Sequence, residues 1–274
     1  MKTGFSTNAY VKKSLDYALK SISDIGYDGV EIVLDVPHAF LPISKLKLDD
    51  LRKNLKLYKL AVTNLNANTV VGWYGKRKVT SQFEPSLSNN KEKLRKWRVN
   101  YTKMAIDLAN ELGSPSVSIT SGIIQGSSPA HMYNLKRSIE EITDYAEQKN
   151  VLIAIEYEPG LLLGSSNDVY SILNGHRNLG INLDVCHAAV LGEDIRFLIK
   201  KFRKKIFHTH ISDCKNSIHY HLIPGLGEID FRSIYDMLDN VNYKGYLTAE
   251  LYPYFDEPEK AAKEALNHFM KFIN

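Results

Sequence analysis

The chain predicts an α/β fold, a (β/α)8 barrel, and three observations carry that prediction. Short β-rich runs and amphipathic helical segments alternate strictly, eight of each. The length of 274 residues suits one such barrel, so residues 1–274 read as a single TIM-barrel domain. The nearest alternative is a doubly wound open sheet, and no G-x-G-x-x-G or P-loop pattern supports its nucleotide-binding form.

Residues 3–7 are the first strand. They feed a helix from about Val11, whose apolar positions Val11, Leu15, Ala18, Leu19, Ile22 and Ile25 follow helical spacing up to a stop at Gly26. Residues 29–34 are the second strand, and Ser44 caps a helix carrying Leu48, Leu51, Leu55 and Tyr58. Residues 61–66 are the third strand. An irregular stretch, 67–90, makes a long loop between this strand and the next helix; loops of this length are uncommon in compact domains and often functional. The helix over 91–112 stops at Gly113, and residues 116–120 are the fourth strand, followed by a helix over 129–148. Residues 151–156 are the fifth strand, with a short helix at 167–173. Residues 179–183 are the sixth, and its helix ends in the basic run 200–205. Residues 206–210 are the seventh strand with a helix at 231–238; residues 245–250 are the eighth, and a helix over 258–272 closes the chain. Each strand reads as apolar, since a parallel barrel strand is covered on both faces.

Composition narrows the function. A net charge of +4 permits anionic substrates without demanding nucleic acid. The basic run Lys200, Lys201, Arg203, Lys204 and Lys205 ends a helix, where cations are favoured, and lies at the bottom of the barrel, away from the catalytic face. No apolar run is long enough for a membrane span, and residues 1–7 show no secretory pattern. Two cysteines, Cys186 and Cys214, give no disulfide framework and suit a reducing cytoplasm.

The chemistry gathers at the strand ends. Strand five ends at Glu156, strand six runs into Asp184, strand seven ends at His210 and strand eight at Glu250. Neighbouring strands lie about 4.8 Å apart, so four polar side chains at matching heights can converge. Three carboxylates at one point repel one another, and a divalent cation removes the conflict. Mn²⁺, Mg²⁺, Co²⁺ and Zn²⁺ all suit three oxygens and one imidazole nitrogen. His187 follows Asp184 by three residues, and His219 and His221 share one side of an extended segment. These three histidines build a second metal position or contact the substrate. His208 lies one layer below His210 and reads as a core histidine, and Cys186 as a packing residue. Glu31 on strand two and Lys215 are further substrate-contact candidates, and Trp73, Tyr74 and Phe83 on the long loop are candidates for an apolar wall.

With those residues in place, the sequence resembles the xylose-isomerase-like TIM-barrel superfamily of sugar isomerases, 3-epimerases and a branch of AP endonucleases. The resemblance rests on Gly26-Tyr-Asp-Gly-Val-Glu-Ile32, Ile155-Glu156, Asp184-x-x-His187, His210-Ile-Ser-Asp213, Pro224-Gly-Leu-Gly-Glu-Ile-Asp-Phe231 and Glu250. It implies that Glu156, Asp184, His210 and Glu250 hold one divalent metal and that Glu156 and Glu250 also move protons. In the endonuclease branch, residues matching His187 and His221, plus an aspartate where His219 stands, bind an additional zinc. That branch also needs histidines after strands three and four, where this chain has Asn66 and Thr120-Ser-Gly122.

The expected activity is isomerisation or epimerisation of a sugar, polyol or hydroxy-carbonyl compound through an enediolate, with Glu156 and Glu250 as acid and base and His187 polarising a substrate oxygen. The alternatives are a one- or two-metal phosphoester hydrolase, a dehydratase on the same site, and a noncatalytic barrel that only binds. The expected partner is a carbohydrate-like small molecule, with no nucleic acid or membrane, and pairing into a homo-oligomer through loops is compatible with the fold.

Overall fold

Eight parallel strands close on themselves in the computed structural model, which describes residues 1–75, 83–123 and 129–273. They are β1 (Lys2–Ser6), β2 (Gly29–Val33), β3 (Ala61–Asn66), β4 (Ser116–Thr120), β5 (Leu152–Glu156), β6 (Leu179–Asp184), β7 (Ile206–Ile211) and β10 (Tyr246–Ala249). The order around the barrel is the order of the chain, and β10 pairs with β1 to close the ring. A hairpin of β8 (Asp213–Lys215) and β9 (Ile218–Leu222) stands outside this ring as its own antiparallel sheet. The sequence reading treated that segment as extended loop and did not anticipate the pairing.

The helices are α1 (Leu15–Ile25), α2 (Lys45–Leu57), α3 (Val71–Tyr74), α4 (Glu92–Leu112), α5 (Pro129–Gln148), α6 (Ser166–Ile172), α7 (Val185–Val190), α8 (Ile195–Phe202), α9 (Phe231–Asn240) and α10 (Pro258–Phe269). The first helix starts later than the apolar spacing predicts. The Ser14 hydroxyl accepts the Tyr17 N–H and fixes the start at Leu15, leaving Val11 half-exposed beyond a 3-10 turn. Its end is as expected: Gly26 adopts φ 109°, a left-handed conformation that closes the last turn. One helix was expected between strands six and seven, but there are two, α7 and α8, each begun by an aspartate cap at Asp184 and Asp194. The long loop carries the short α3, and its residues 76–82 lie outside the described residues.

The expectation of uniformly apolar strands is overturned by an alternation. Phe5, Val30, Ile32, Leu65, Val117, Ile119, Ile153, Ile155, Ile181, Leu183, Leu247 and Ala249 belong to the buried apolar core shared with the helices. Between them, Ser6, Glu31, Asn64, Ser116, Ser118, Asn182, His208, His210 and Thr248 are equally buried. Ser6, Glu31, Asn64, Ser116, Ser118, Asn182 and His210 bond to one another around and across the lumen, which places them on the inner face. The five-residue strands conceal this period of two, because glycine and alanine share the inner face with the polar groups.

The basic run behaves as expected. α8 ends at Phe202, a 3-10 turn covers Arg203–Lys205, and β7 begins at Ile206. Lys205 Nζ donates to the His176 and Leu179 carbonyl oxygens at 2.5 and 2.9 Å, tying the lower rim of the barrel together.

Candidate functional site

The floor of the site is a hydrogen-bonded layer inside the barrel. Ser116 Oγ donates to Asn64 Oδ1 at 2.7 Å, and Asn64 Nδ2 donates to Glu31 Oε2 at 2.8 Å. Ser6 Oγ donates to Glu31 Oε1 at 2.7 Å, and His210 Nε2 lies 2.9 Å from Glu31 Oε2. β1 and β10 stand between β2 and β7 in the ring, so the Glu31–His210 contact joins non-neighbouring strands across the lumen. Burial opposes charge on Glu31, but His210 and His208 outweigh it and hold its carboxyl well below the usual range.

Above this floor, Glu156, Asp184, His210 and Glu250 converge. Each offers one ligand atom within 4.8 Å of the others, and all four are buried. The heights match because register sets them: Asp184 pairs with His210 across β6 and β7, and Thr248, two residues before Glu250, also pairs with His210. His210 Nδ1 lies 3.2 Å from Glu156 Oε1, 3.3 Å from Glu250 Oε2 and 3.9 Å from Asp184 Oδ2. Two neighbours that sequence reasoning missed aim the carboxylates. Asn182 Nδ2 donates to Glu156 Oε2 at 3.0 Å, and Asn8 Nδ2 donates to Glu250 Oε1 at 2.9 Å.

The electrostatics describe a site with one positive charge too few. Burial, reinforced by Glu156, Asp184 and Glu31, pushes Glu250 well above the usual carboxylate range. Burial opposes charge on His210, yet Glu250, Glu31 and Glu156 raise it well above an ordinary histidine. Burial would raise Asp184 too, but His187, His221 and His210 hold it at about 2. Asp184 Oδ1 accepts the Cys186 and His187 N–H groups at 2.7 and 3.0 Å, whereas Oδ2 is buried without a hydrogen-bond partner. An ionised oxygen buried without a donor fits a cation ligand, and the donor set of three carboxylates and one imidazole is right for a divalent ion.

A second group of nitrogens adjoins the first. His187 Nδ1 donates to the Tyr157 carbonyl at 2.8 Å, leaving Nε2 3.8 Å from Asp184 Oδ2. His221 Nδ1 lies 3.1 Å from the Glu250 carbonyl oxygen, and its Nε2 faces His219 Nε2 at 2.6 Å. Asp184, His187 and His221 have ligand atoms within 4.8 Å of one another, as do Glu158, His187 and His219. Glu158 escaped the sequence reading, although its place two residues beyond Glu156 was a legible signal. Burial, together with Glu156 and Asp184, pushes it up to about 7 despite the opposing pull of His187.

The hairpin that carries His219 and His221 is anchored by Asp213. Its Oδ2 accepts the Gly225 and Gly227 N–H groups at 2.9 and 2.8 Å, and its Oδ1 accepts those of Cys214 and Ile229 at 2.9 and 3.1 Å. A side chain at Gly227 would collide with this carboxylate: an added Cβ would lie 2.4 Å from Asp213 Oδ1.

Three expected substrate contacts stand elsewhere. Glu31 is fully buried with both oxygens engaged in the floor, so it sits below the mouth instead of facing it. Trp73 lies against Trp97 of α4 with ring centroids 4.3 Å apart, and Tyr74 meets it edge-on, so this cluster leans on an outer helix. Lys215 is exposed on the hairpin. Phe83, within the long loop, resumes the described chain after residues 76–82 with φ 59°. His208 is buried, with Nε2 3.2 Å from Glu31 Oε2. Burial pushes the Cys186 thiol up, away from reactivity.

Known proteins resemble this chain in sequence and in fold. The fructoselysine 3-epimerase of Shigella flexneri is 27% identical over 281 residues, covering 100% of this chain and 98% of that protein. The 2-oxo-tetronate isomerase of Haemophilus influenzae is 27% identical over 161 residues, 55% of this chain and 60% of that protein. Among solved structures, a D-tagatose 3-epimerase-like protein superposes with a TM-score of 0.79 at 23% identity, covering 99% of each chain. The IOLI protein, solved with a zinc atom, superposes with a TM-score of 0.78 at 23% identity over the full length of both. The description "Xylose isomerase-like TIM barrel" matches residues 19–272, and the chain belongs to that family.

Proposed function

We propose that this chain is a divalent-metal-dependent sugar epimerase or isomerase, acting next to the carbonyl of a ketose or ketose-like compound. The observation that carries the reading is the convergence of Glu156, Asp184, His210 and Glu250, with a partnerless Asp184 oxygen among them. The full-length similarity to a fructoselysine 3-epimerase supports the substrate class.

Glu156, Asp184, His210 and Glu250 would hold the ion. When bound, it supplies Lewis-acid pull on a carbonyl oxygen, which lowers the pKa of the neighbouring C–H. The protein's own groups do the rest. One carboxylate, Glu156 or Glu250, removes the proton from the carbon beside the carbonyl. The other returns a proton to the opposite face for epimerisation, or to the adjacent carbon for isomerisation. Asn182 and Asn8 each occupy one oxygen of these carboxylates and leave the other facing His210 at the shared ligand position. His187, with Nδ1 committed to the Tyr157 carbonyl, presents Nε2 to a substrate oxygen. Asp184, His187 and His221 offer a second ion position beside the first, and Glu158, His187 and His219 a neighbouring one.

The test is a panel of ketoses and fructoselysine incubated in deuterated water, with and without Mn²⁺. Deuterium entering at the carbon beside the carbonyl, only with metal, is the expected result. Phosphate release from sugar phosphates without any exchange would overturn the reading in favour of hydrolysis.

A further inference from the structure

We propose that Glu31 is the positioning carboxylate of the metal centre: it accepts the Nε2 proton of His210 and thereby turns the Nδ1 lone pair toward Glu156, Asp184 and Glu250. The inference rests on the metal-dependent reading above and adds a residue from a strand not adjacent to β7 to it.

The hydrogen-bond inventory around Glu31 leaves this single arrangement. Ser6 Oγ donates to Oε1 at 2.7 Å. Asn64 donates to Oε2 at 2.8 Å; turned round, its amide would set Oδ1 against the carboxylate oxygen, acceptor against acceptor. Both fixed neighbours of Glu31 are therefore donors, and the carboxylate is an acceptor on every side. His210 Nε2, 2.9 Å away, must donate to it. The carboxylates favour a charged His210 while no ion is bound; an imidazole that binds an ion is neutral and has one ring proton, so a proton held on Nε2 leaves Nδ1 with the lone pair. That nitrogen is the one 3.2 Å from Glu156 and 3.3 Å from Glu250. A carboxylate behind a metal-binding histidine fixes its tautomer and ring orientation and raises its basicity. Glu31 meets the requirement from a strand that contributes no ligand to the four-residue cluster.

The experiment has two independent readouts. In Zn²⁺-loaded wild-type protein labelled with ¹⁵N-histidine, long-range NMR spectra should show His210 protonated at Nε2 and metal-bound at Nδ1. In calorimetric titrations with Mn²⁺, Glu31→Gln should bind about 10–100-fold more weakly than wild type, with an unchanged circular dichroism spectrum. Metal on His210 Nε2, or a folded Glu31→Gln protein with wild-type Mn²⁺ affinity, would overturn the role of Glu31 while leaving the metal centre intact. A wild type that binds no divalent ion would overturn both. If Glu31→Gln fails to fold, the spectrum of the wild-type protein still decides.

Discussion

Glu156 and Glu250 differ from ordinary strand-end acids in being buried, aimed by asparagines and set against the same imidazole nitrogen. Replacing either with glutamine should lower kcat by about 10²–10⁴-fold, the usual worth of a positioned acid or base, in steady-state assays at saturating Mn²⁺. A loss under tenfold would take the proton-transfer role away from that residue. Glu158 offers a pH test of the same electrostatics. Its ordinary value is 4.5 and burial raises it to about 7 in the folded protein. Between those values the folded chain keeps a proton that the unfolded chain releases. Stability therefore falls as pH rises through that window, and the cost is complete above about pH 7. Metal-free Glu158→Gln should be more stable than wild type at pH 8, by up to about 3 kcal/mol, and lose that advantage at pH 4. Urea midpoints at the two pH values check it, and an equal advantage at both would refute the assignment. The four candidate ligands were legible in the sequence because each is a polar residue at or next to the C-terminal end of its strand. Glu31 is also a polar residue of a strand, but its depth was not legible. Depth depends on register, and an extra residue on β3, Thr63 between Val62 and Asn64 opposite the consecutive Val30 and Glu31, shifts it.

Among the elements, the β8–β9 hairpin is the one least expected. The stretch from Asp213 to Leu222 alternates poorly and turns through Asn216 and Ser217, both at φ 54°. Such left-handed pairs make tight hairpin turns, and the signal was weak because Asn216-Ser217 lacks the glycine that usually marks one. The Pro224-Gly-Leu-Gly motif is now explained as the strap that Asp213 holds by its backbone N–H groups. Gly227→Ala would force Cβ to within 2.2 Å of the Cys214 carbonyl oxygen. It should cost about 1–3 kcal/mol by urea unfolding, the range for overpacking a tight site. Activity should drop with it, because His219 and His221 ride on the displaced hairpin. Unaltered stability and activity would show that the strap yields freely. The helices were the easier part to read: Ser14, Ser44 and Ser165 each cap the N–H groups of a first turn, and Gly26 and Gly113 end helices in the left-handed conformation.

At the scale of the molecule, three acids with a partnerless oxygen among them at one end of a barrel would link folding to the binding of the proposed ion. An ion bound only by the folded chain stabilises it by about 2.7 kcal/mol at a concentration 100 times its Kd. Stripping with a chelator should lower Tm, and returning Mn²⁺ should restore it in a concentration-dependent way. A Tm indifferent to both would count against a metal centre. Barrel closure itself was legible because eight apolar runs alternate with eight helical ones. The polar lumen was not, since a run such as Gly29 to Val33 reads as greasy until its partners are known. No helix among the described residues is long and apolar enough to cross a membrane. The two histidines His219 and His221 are borne on a ribbon that pairs with itself and is not woven into the wall. Ten residues can thus be exchanged, by nature or at the bench, to retune what the mouth accepts while the staves beneath keep their ring.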